Sequence, residues 1–279
     1  SVWVNSGKLS WFKKIARFFI IPDRGIVWLK ELVKFDSRKI GPVDVVYSTS
    51  PLFTNHLVAR RLAKKKKAKW VVDIRDFHHI NGDMEQKKGM RSMINSMMQM
   101  NVLKRADYVT FVTKSMHEVY KNRYHFLDAK SSVIYNGYEP DEYPAAELHL
   151  ESDVLKIFYA GSFYDGARDP APLFAMLDAL HEKKLINLDA IRVEVAGNIP
   201  DLIKDIIKRY KSSVCVNYLG LVDRKTALDK MTNAHLLWLI VANIKAHYMT
   251  FPVKGFEYVG CKRHILLFSP PEAEAKTIV

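Results

Sequence analysis

Three short stretches of this chain carry residues suited to chemistry. "VVDIRDFHHINGD" sets Asp73, Arg75, Asp76, His78 and His79 in quick succession after an apolar run. Carboxylate and imidazole groups can orient a hydroxyl and accept its proton, so the cluster fits a general base acting on an alcohol. The plainer reading is that Asp73 caps a loop and the histidines are exposed. Adjacent histidines do not make a metal site without further ligands at workable spacing, and no metal is expected. "AGSFYDGARDP" places Gly161, Ser162 and Arg168 between an apolar run and a helix opened by proline. A glycine loop entering a helix offers N–H groups and the positive dipole end to an anion, with Arg168 as an added cation. The alternative is an ordinary strand–helix turn with Arg168 on the surface. "FPVKGFEYVG" puts Lys254 and Glu257 one helical step apart in an otherwise apolar segment. Either they form an exposed i,i+3 pair worth roughly a few tenths of a kcal/mol, or both charges turn toward a ligand.

These residues need strands and helices to hold them. "LKIFYAG", "IRVEVAG", "VCVNYLG", "HLLWLIV" and "HILLFS" read as buried strands. Helical stretches lie between them: "PAPLFAMLDALHEKKL", "PDLIKDIIKRYKSS", "DRKTALDKMTNA" and "PVKGFEYVGCK". Such alternation predicts a parallel sheet covered by helices. The first half alternates as well. Strands "VDVVYST", "KWVVDIR", "ADYVTFVT" and "SSVIY" flank helices "LFTNHLVARRLAKKKK", "RSMINSMMQMNVLKRA" and "KSMHEVYKNR". The Met stripe Met93, Met97, Met98 and Met100 reads as core. The polar stretch Asn136 to Asp153 reads as a linker, dividing the chain into domains 1–145 and 146–279. In open parallel sheets ligands bind at the carboxyl ends of strands, which is where all three chemical stretches fall.

Composition narrows the class. Apolar residues make up 48% and charged residues 26%, as in folded globular proteins. A formal charge of +13 suits anionic partners: nucleotides, phosphorylated substrates, nucleic acid or an acidic membrane. Cys215 and Cys261 are too few for a disulfide framework. No apolar run approaches the ~20 residues of a membrane span. The chain starts at Ser1 without Met, and no strand precedes the first ~40 helical residues. A cut at both ends, with the first strand or strands of the first domain absent, is therefore expected.

"WVVDIRD", "ADYVTFVTKS", "VIYNGYEPDEY", "IFYAGSFYDGARDPAPLF" and "FPVKGFEYVG" follow one another as in GT-B glycosyltransferases of family 4. The chain resembles most the branch that builds bacterial surface polysaccharides, from about Pro22 to Val279. That resemblance implies two Rossmann-like domains with parallel sheets facing a cleft. It implies a retaining, hexosyltransferase-type enzyme. A nucleotide-sugar held mainly by the second domain would pass its sugar to a glycan or lipid-linked acceptor held by the first. By the resemblance Glu257 binds the ribose hydroxyls and Gly161 and Arg168 hold the diphosphate; Ser162 in the same loop and Lys254 on the helix are further candidates for polar contacts to the nucleotide-sugar. Asp76 and Arg75 border the acceptor. The family's upstream Glu is Met249 here, and a family basic residue is Ser162.

The helix "KLSWFKKIARFF" interleaves basic and aromatic residues, which suits an anionic membrane surface or packing on the first domain. The expected location is the cytoplasm, peripheral at the inner face of the membrane. No cofactor is expected beyond the nucleotide-sugar substrate. The competing reading is a non-catalytic nucleotide-sugar or polyanion-binding module of the same fold. Nucleic-acid binding lacks any recognition helix, zinc finger or RNA-binding aromatic signature.

Overall fold

Runs of β-branched and aromatic residues form nine strands in the computed structural model, which describes residues 23, 25–26, 35–76, 89–143 and 153–279. Every strand pairing among them is parallel. The chain divides into two units, one ending at Tyr135 and the other starting at Asn136. The stretch Ser1–Pro22, where the basic aromatic helix is expected, and the His78–His79 pair lie outside the described residues.

The first unit orders β1 (Val45–Thr49), β2 (Lys69–Ile74), β3 (Tyr108–Phe111) and β4 (Ser131–Val133) as they occur in the chain. Right-handed crossovers between successive strands place α1 (Phe53–Lys66), α2 (Met90–Arg105) and α3 (Lys114–Arg123) on one face. Val46 and Ser48 are accordingly buried while Val45 and Tyr47 are exposed. Thr113 caps α3, its hydroxyl accepting from Met116 N at 3.2 Å.

The Met stripe of α2 is not core. Met90, Met93, Met97 and Met100 are exposed, and the buried side carries Asn95, Gln99, Val102 and Leu103. Val102 and Leu103 in the last turn set the helix rotation, which turns residues 95 and 99 inward and the methionines outward. Gln99 is satisfied inside by donating to the Tyr120 hydroxyl at 2.8 Å.

The second unit orders its strands β7 (Val216–Gly220), β6 (Ile191–Ala196), β5 (Leu155–Ala160), β8 (Leu236–Ile240) and β9 (His264–Phe268). Its helices are α4 (Ala171–Glu182), α5 (Asp201–Ile207), α6 (Arg224–Thr232), α7 (Lys245–Tyr248), α8 (Val253–Gly260) and α9 (Ala275–Ile278). Tyr159, Phe163, Phe174 and Phe268 pack around the fully buried Trp238. α5 stops six residues before the expected end at Ser213. The Asp178 carboxylate instead accepts from Lys211 N at 2.9 Å and Ser212 N at 2.7 Å, stabilising a tight turn over Lys211–Cys215. β7 therefore starts at Val216 rather than Val214.

The chain winds outward from β5 to β7, then returns to place β8 on the other flank of β5. The two strands pair only through Ile157 with Leu236 and Phe158 with Leu237, then part. Tyr258 of α8 enters the gap, its hydroxyl accepting from Ala160 N at 3.4 Å and donating to Trp238 O at 3.3 Å. Such a reversal of strand order opens a crevice at the carboxyl ends.

Part of the expected linker belongs to this unit. Asn136–Tyr143 packs with the second unit, ahead of the expected 145/146 boundary, and residues 144–152 are outside the described chain. The rings of Tyr138 and Tyr143 meet edge to face at 5.4 Å and lie against Gly260. A Cβ there would fall 2.8 Å from Tyr143 Cζ and 2.9 Å from Tyr138 Cδ2. In an open helix Gly→Ala gains roughly 0.5–1 kcal/mol. Gly260→Ala should instead lower stability by about 1–3 kcal/mol, because two packed rings must move. Urea unfolding of the two proteins gives the sign directly.

Candidate functional site

β5, β6 and β7 each end in a glycine with positive φ: Gly161 (+136°), Gly197 (+137°) and Gly220 (+67°). Close approach explains the first two. A Cβ on Gly197 would lie 2.5 Å from Gly161 O, and one on Gly161 would lie 3.1 Å from Lys254 Nζ. Backbone bonds lock these ends together, Gly161 N donating to Ala196 O at 2.9 Å and Gly197 N to Gly220 O at 2.7 Å. The strand ends thus bring bare backbone beside a lysine.

Lys254 sits one turn before Tyr258 on α8, so the bridge at the strand gap also positions it. Its ammonium donates to Ala160 O at 3.2 Å and lies 3.9 Å from the centre of the Tyr159 ring. Burial, helped by the like charge of Arg168 and opposed by Glu257, holds Lys254 well below the usual lysine range. Arg168 rests over the Tyr164 ring at 4.4 Å and donates to Ser162 O at 3.1 Å. Ser162 O also accepts from the Tyr159 hydroxyl at 2.8 Å, while Ser162 Oγ accepts from Tyr164 N at 3.1 Å. Burial, together with the Arg168 charge, lowers His247 as well. Arg168 therefore opposes the charging of both Lys254 and His247 near the Gly161 turn. Among the described residues no carboxylate forms an ion pair with any of them. Two basic side chains and an imidazole gathered at one glycine turn are suited to an anion.

Glu257 takes neither the exposed pairing with Lys254 nor a position in open water. Its Oε1 accepts from Arg224 Nη1 at 2.8 Å, and the second amino group of Arg224 binds Glu142 Oε2. The Glu257 side chain is 25% exposed. Glu142, Arg224, Lys225, Leu228 and Asp229 line a cavity of about 620 Å³ beside this pair. That volume lies within the range of small-molecule sites, roughly 300–1,000 Å³. Sequence reading missed Arg224 and Glu142. The first sits in the "GLVDR" loop after β7, a strand-end segment; the second lay in the stretch read as linker.

The first unit has its own strand-end cluster. Asp73 is fully buried and accepts from Thr110 Oγ1 at 2.7 Å, Thr49 Oγ1 at 2.9 Å and Arg75 Nε at 2.6 Å. Burial pushes its carboxyl up, but the bonds from Thr110, Tyr47, Arg75 and Thr49 outweigh that and leave it below the ordinary value. Arg75 is thus committed to Asp73, and its N–H to Ser50 Oγ at 2.8 Å. Asp76 is exposed at the end of the described loop. Asp73 is a structural anchor rather than a loop cap. Among the described residues no group of three or more His, Cys, Asp or Glu could hold a metal ion.

No protein-family model matches the chain, and no curated protein does. Solved structures do. Sucrose-phosphate synthase from Thermosynechococcus elongatus is similar with a TM-score of 0.55 at 18% identity, over 84% of this chain and 63% of that one. Anabaena Alr3699/HepE in complex with UDP gives 0.59 at 14% identity, over 88% and 70%; it has also been solved with UDP-glucose. The pneumococcal O-GlcNAc transferase GtfA in complex with UDP and GlcNAc gives 0.51 at 12%, over 86% and 44%. The likeness establishes the fold, two Rossmann-like α/β units of the GT-B kind. The chain spans less than two thirds of the length of two of these three.

Lys254 also carries a stability signature. Its folded value lies below the unfolded one, so charging it costs stability at neutral pH. That cost is relieved as pH rises from the folded value toward the ordinary lysine value. Lys254→Met should therefore be more stable than wild type at neutral pH, by about 1 kcal/mol. The difference should shrink in alkaline solution, as denaturant unfolding at a series of pH values would show.

Proposed function

We propose that the chain is a retaining glycosyltransferase that moves a sugar from a nucleotide-sugar to a glycan or lipid-linked acceptor. The observation that carries this reading is the pairing of an anion seat with a poised carboxylate at one strand-order reversal. Gly161, Ser162, Arg168 and Lys254 make the seat for the diphosphate, with His247 beside them. Glu257 supplies two acceptor oxygens for the ribose hydroxyls, its rotamer fixed by Arg224. The cavity beside Arg224 has room for the rest of the nucleoside. Uridine is the base we assign, in line with the UDP complexes of the similar structures.

The chemistry follows from charge. When the sugar leaves, negative charge grows on the diphosphate, and fixed cations and N–H dipoles favour that state over the ground state. Burial of Lys254 increases its effect because little water screens it. On the first unit the exposed carboxylate of Asp76 would face an acceptor hydroxyl, with Arg75 held by Asp73 as its neighbour. The site belongs to family 4 in this reading, serves cell-surface polysaccharide synthesis, and works in the cytoplasm at the inner face of the membrane.

Met249 favours a second reading, a nucleotide-sugar-binding module without turnover, because an apolar side chain stands where the resemblance expects a carboxylate. Both readings share one experiment. Thermal shifts with UDP, GDP, ADP and CMP and their sugar conjugates should single out UDP and UDP-sugars. Glu257→Ala should abolish the shift, and Arg224→Ala should weaken binding about tenfold through loss of a charged hydrogen bond. No shift with any nucleotide on folded protein would overturn the donor site. Release of UDP from a UDP-sugar by the wild type would then favour the enzyme over the module.

A further inference from the structure

The exposed methionines of α2 form a surface that the donor chemistry does not use. Met90, Met93, Met97 and Met100 follow the i, i+3, i+7, i+10 pattern of one helix face, with Met93 59% and Met97 58% exposed. A groove of about 760 Å³ runs along the same helix, lined by Ile94, Met97, Met98 and Met100 and ending at Lys104 and Arg105. Single exposed apolar side chains need no explanation, but a contiguous row marks an interaction surface.

Charge indicates the occupant. α2 contains no Asp or Glu over its 16 residues. Cations gather where it ends. Arg60 of the adjoining α1 lies close enough to Arg105 for their charges to oppose each other. Lys130 binds the last carbonyls at Leu103, Lys104 and Ala106, at 2.8, 2.9 and 2.6 Å. The wider unit matches. Residues 1–135 hold 26 Lys and Arg against 11 Asp and Glu, whereas residues 136–279 hold 17 against 19. A second copy would bring the same excess of positive charge to this face and be repelled. A polyanion such as nucleic acid would use the cations but leave the methionines in water.

We infer that the methionine face of α2, with Lys104 and Arg105 at its end, is a docking surface for an anionic lipid bilayer. Apolar side chains enter the boundary between headgroups and acyl chains, and the cations meet lipid phosphates; the helix lies on the membrane rather than crossing it. Among the described residues no helix is long and apolar enough to cross. Unbranched methionines suit a fluid partner because they adapt to irregular surroundings. This deepens the peripheral placement proposed above and is independent of the donor site.

Sedimentation of the 279-residue chain with vesicles tests it. Wild type should bind phosphatidylglycerol vesicles at low salt, bind phosphatidylcholine vesicles little, and lose binding at high salt. The pair Met93→Gln and Met97→Gln should weaken binding about tenfold, and so should Lys104→Gln with Arg105→Gln. All four positions lie on the surface, so unfolding midpoints and UDP shifts should stay at wild-type values. An environment-sensitive dye on Met97→Cys should shift to the blue with anionic vesicles. The same dye on Val214→Cys, exposed on the second unit, should not; Cys215 and Cys261 are buried. No binding by the wild type would overturn the inference. So would binding that survives loss of the methionines, which would keep a peripheral membrane protein but assign its contact elsewhere.

Discussion

The second unit depends on one hydroxyl. Where β5 and β8 part, Ala160 N and Trp238 O lose strand partners, and an unpaired buried backbone group costs about as much as a lost hydrogen bond. Tyr258 satisfies both and is fully buried in doing so. Burial pushes its own proton affinity far up, so the phenol stays a donor throughout ordinary pH. Because α8 is held at this point, its helical period decides the rest. Residue 254 comes out over the Gly161 turn and residue 257 toward α6. Two charges one step apart on a helix therefore serve two different places.

That geometry brings a cost: a buried ammonium beside a like charge. Lys254, Arg168 and His247 crowd a turn whose glycines leave no side chain to shield them. Lys254 and Arg168 each donate to a backbone carbonyl there and rest over an aromatic ring. Natural structures depart from local consistency at functional sites, and here the departure is two like charges, Lys254 and Arg168, set against one turn. An anion with several oxygens is the chemical class that would meet both cations at once, as the proposed donor site requires. By contrast Asp73 in the first unit is as buried as any core residue but fully bonded, which is how a structural carboxylate looks.

The strand runs were legible because a parallel strand buried on both faces is a plain apolar run, and the glycines at 161, 197 and 220 punctuate them. So was the placing of chemistry after strands. Rotation of α2 was not, since its methionines and its Asn95–Gln99 side both read as acceptable core until Val102 and Leu103 fix the angle. The end of α5 depended on Asp178, some thirty residues earlier in the chain. Arg224 and Glu142 escaped for the same reason: their meaning lies in Glu257, 33 and 115 residues away. Spacing along a helix or strand reports local geometry; a pair joined across a sheet leaves no period to read.

The two units also divide their charge in a way that separates two kinds of attraction. The proposed anion seat lies in the unit with 17 cationic and 19 acidic residues, so it would attract by local arrangement and not by bulk charge. Short-range placement of this kind survives screening, because Lys254 is sheltered from water. The excess of 15 positive charges lies in residues 1–135, and attraction by so large a net charge is long-ranged and salt-sensitive. A bound small anion has no need of so large a field. An extended negative surface does, and α2 presents to it a helix face on which an apolar row and an acid-free sequence coincide.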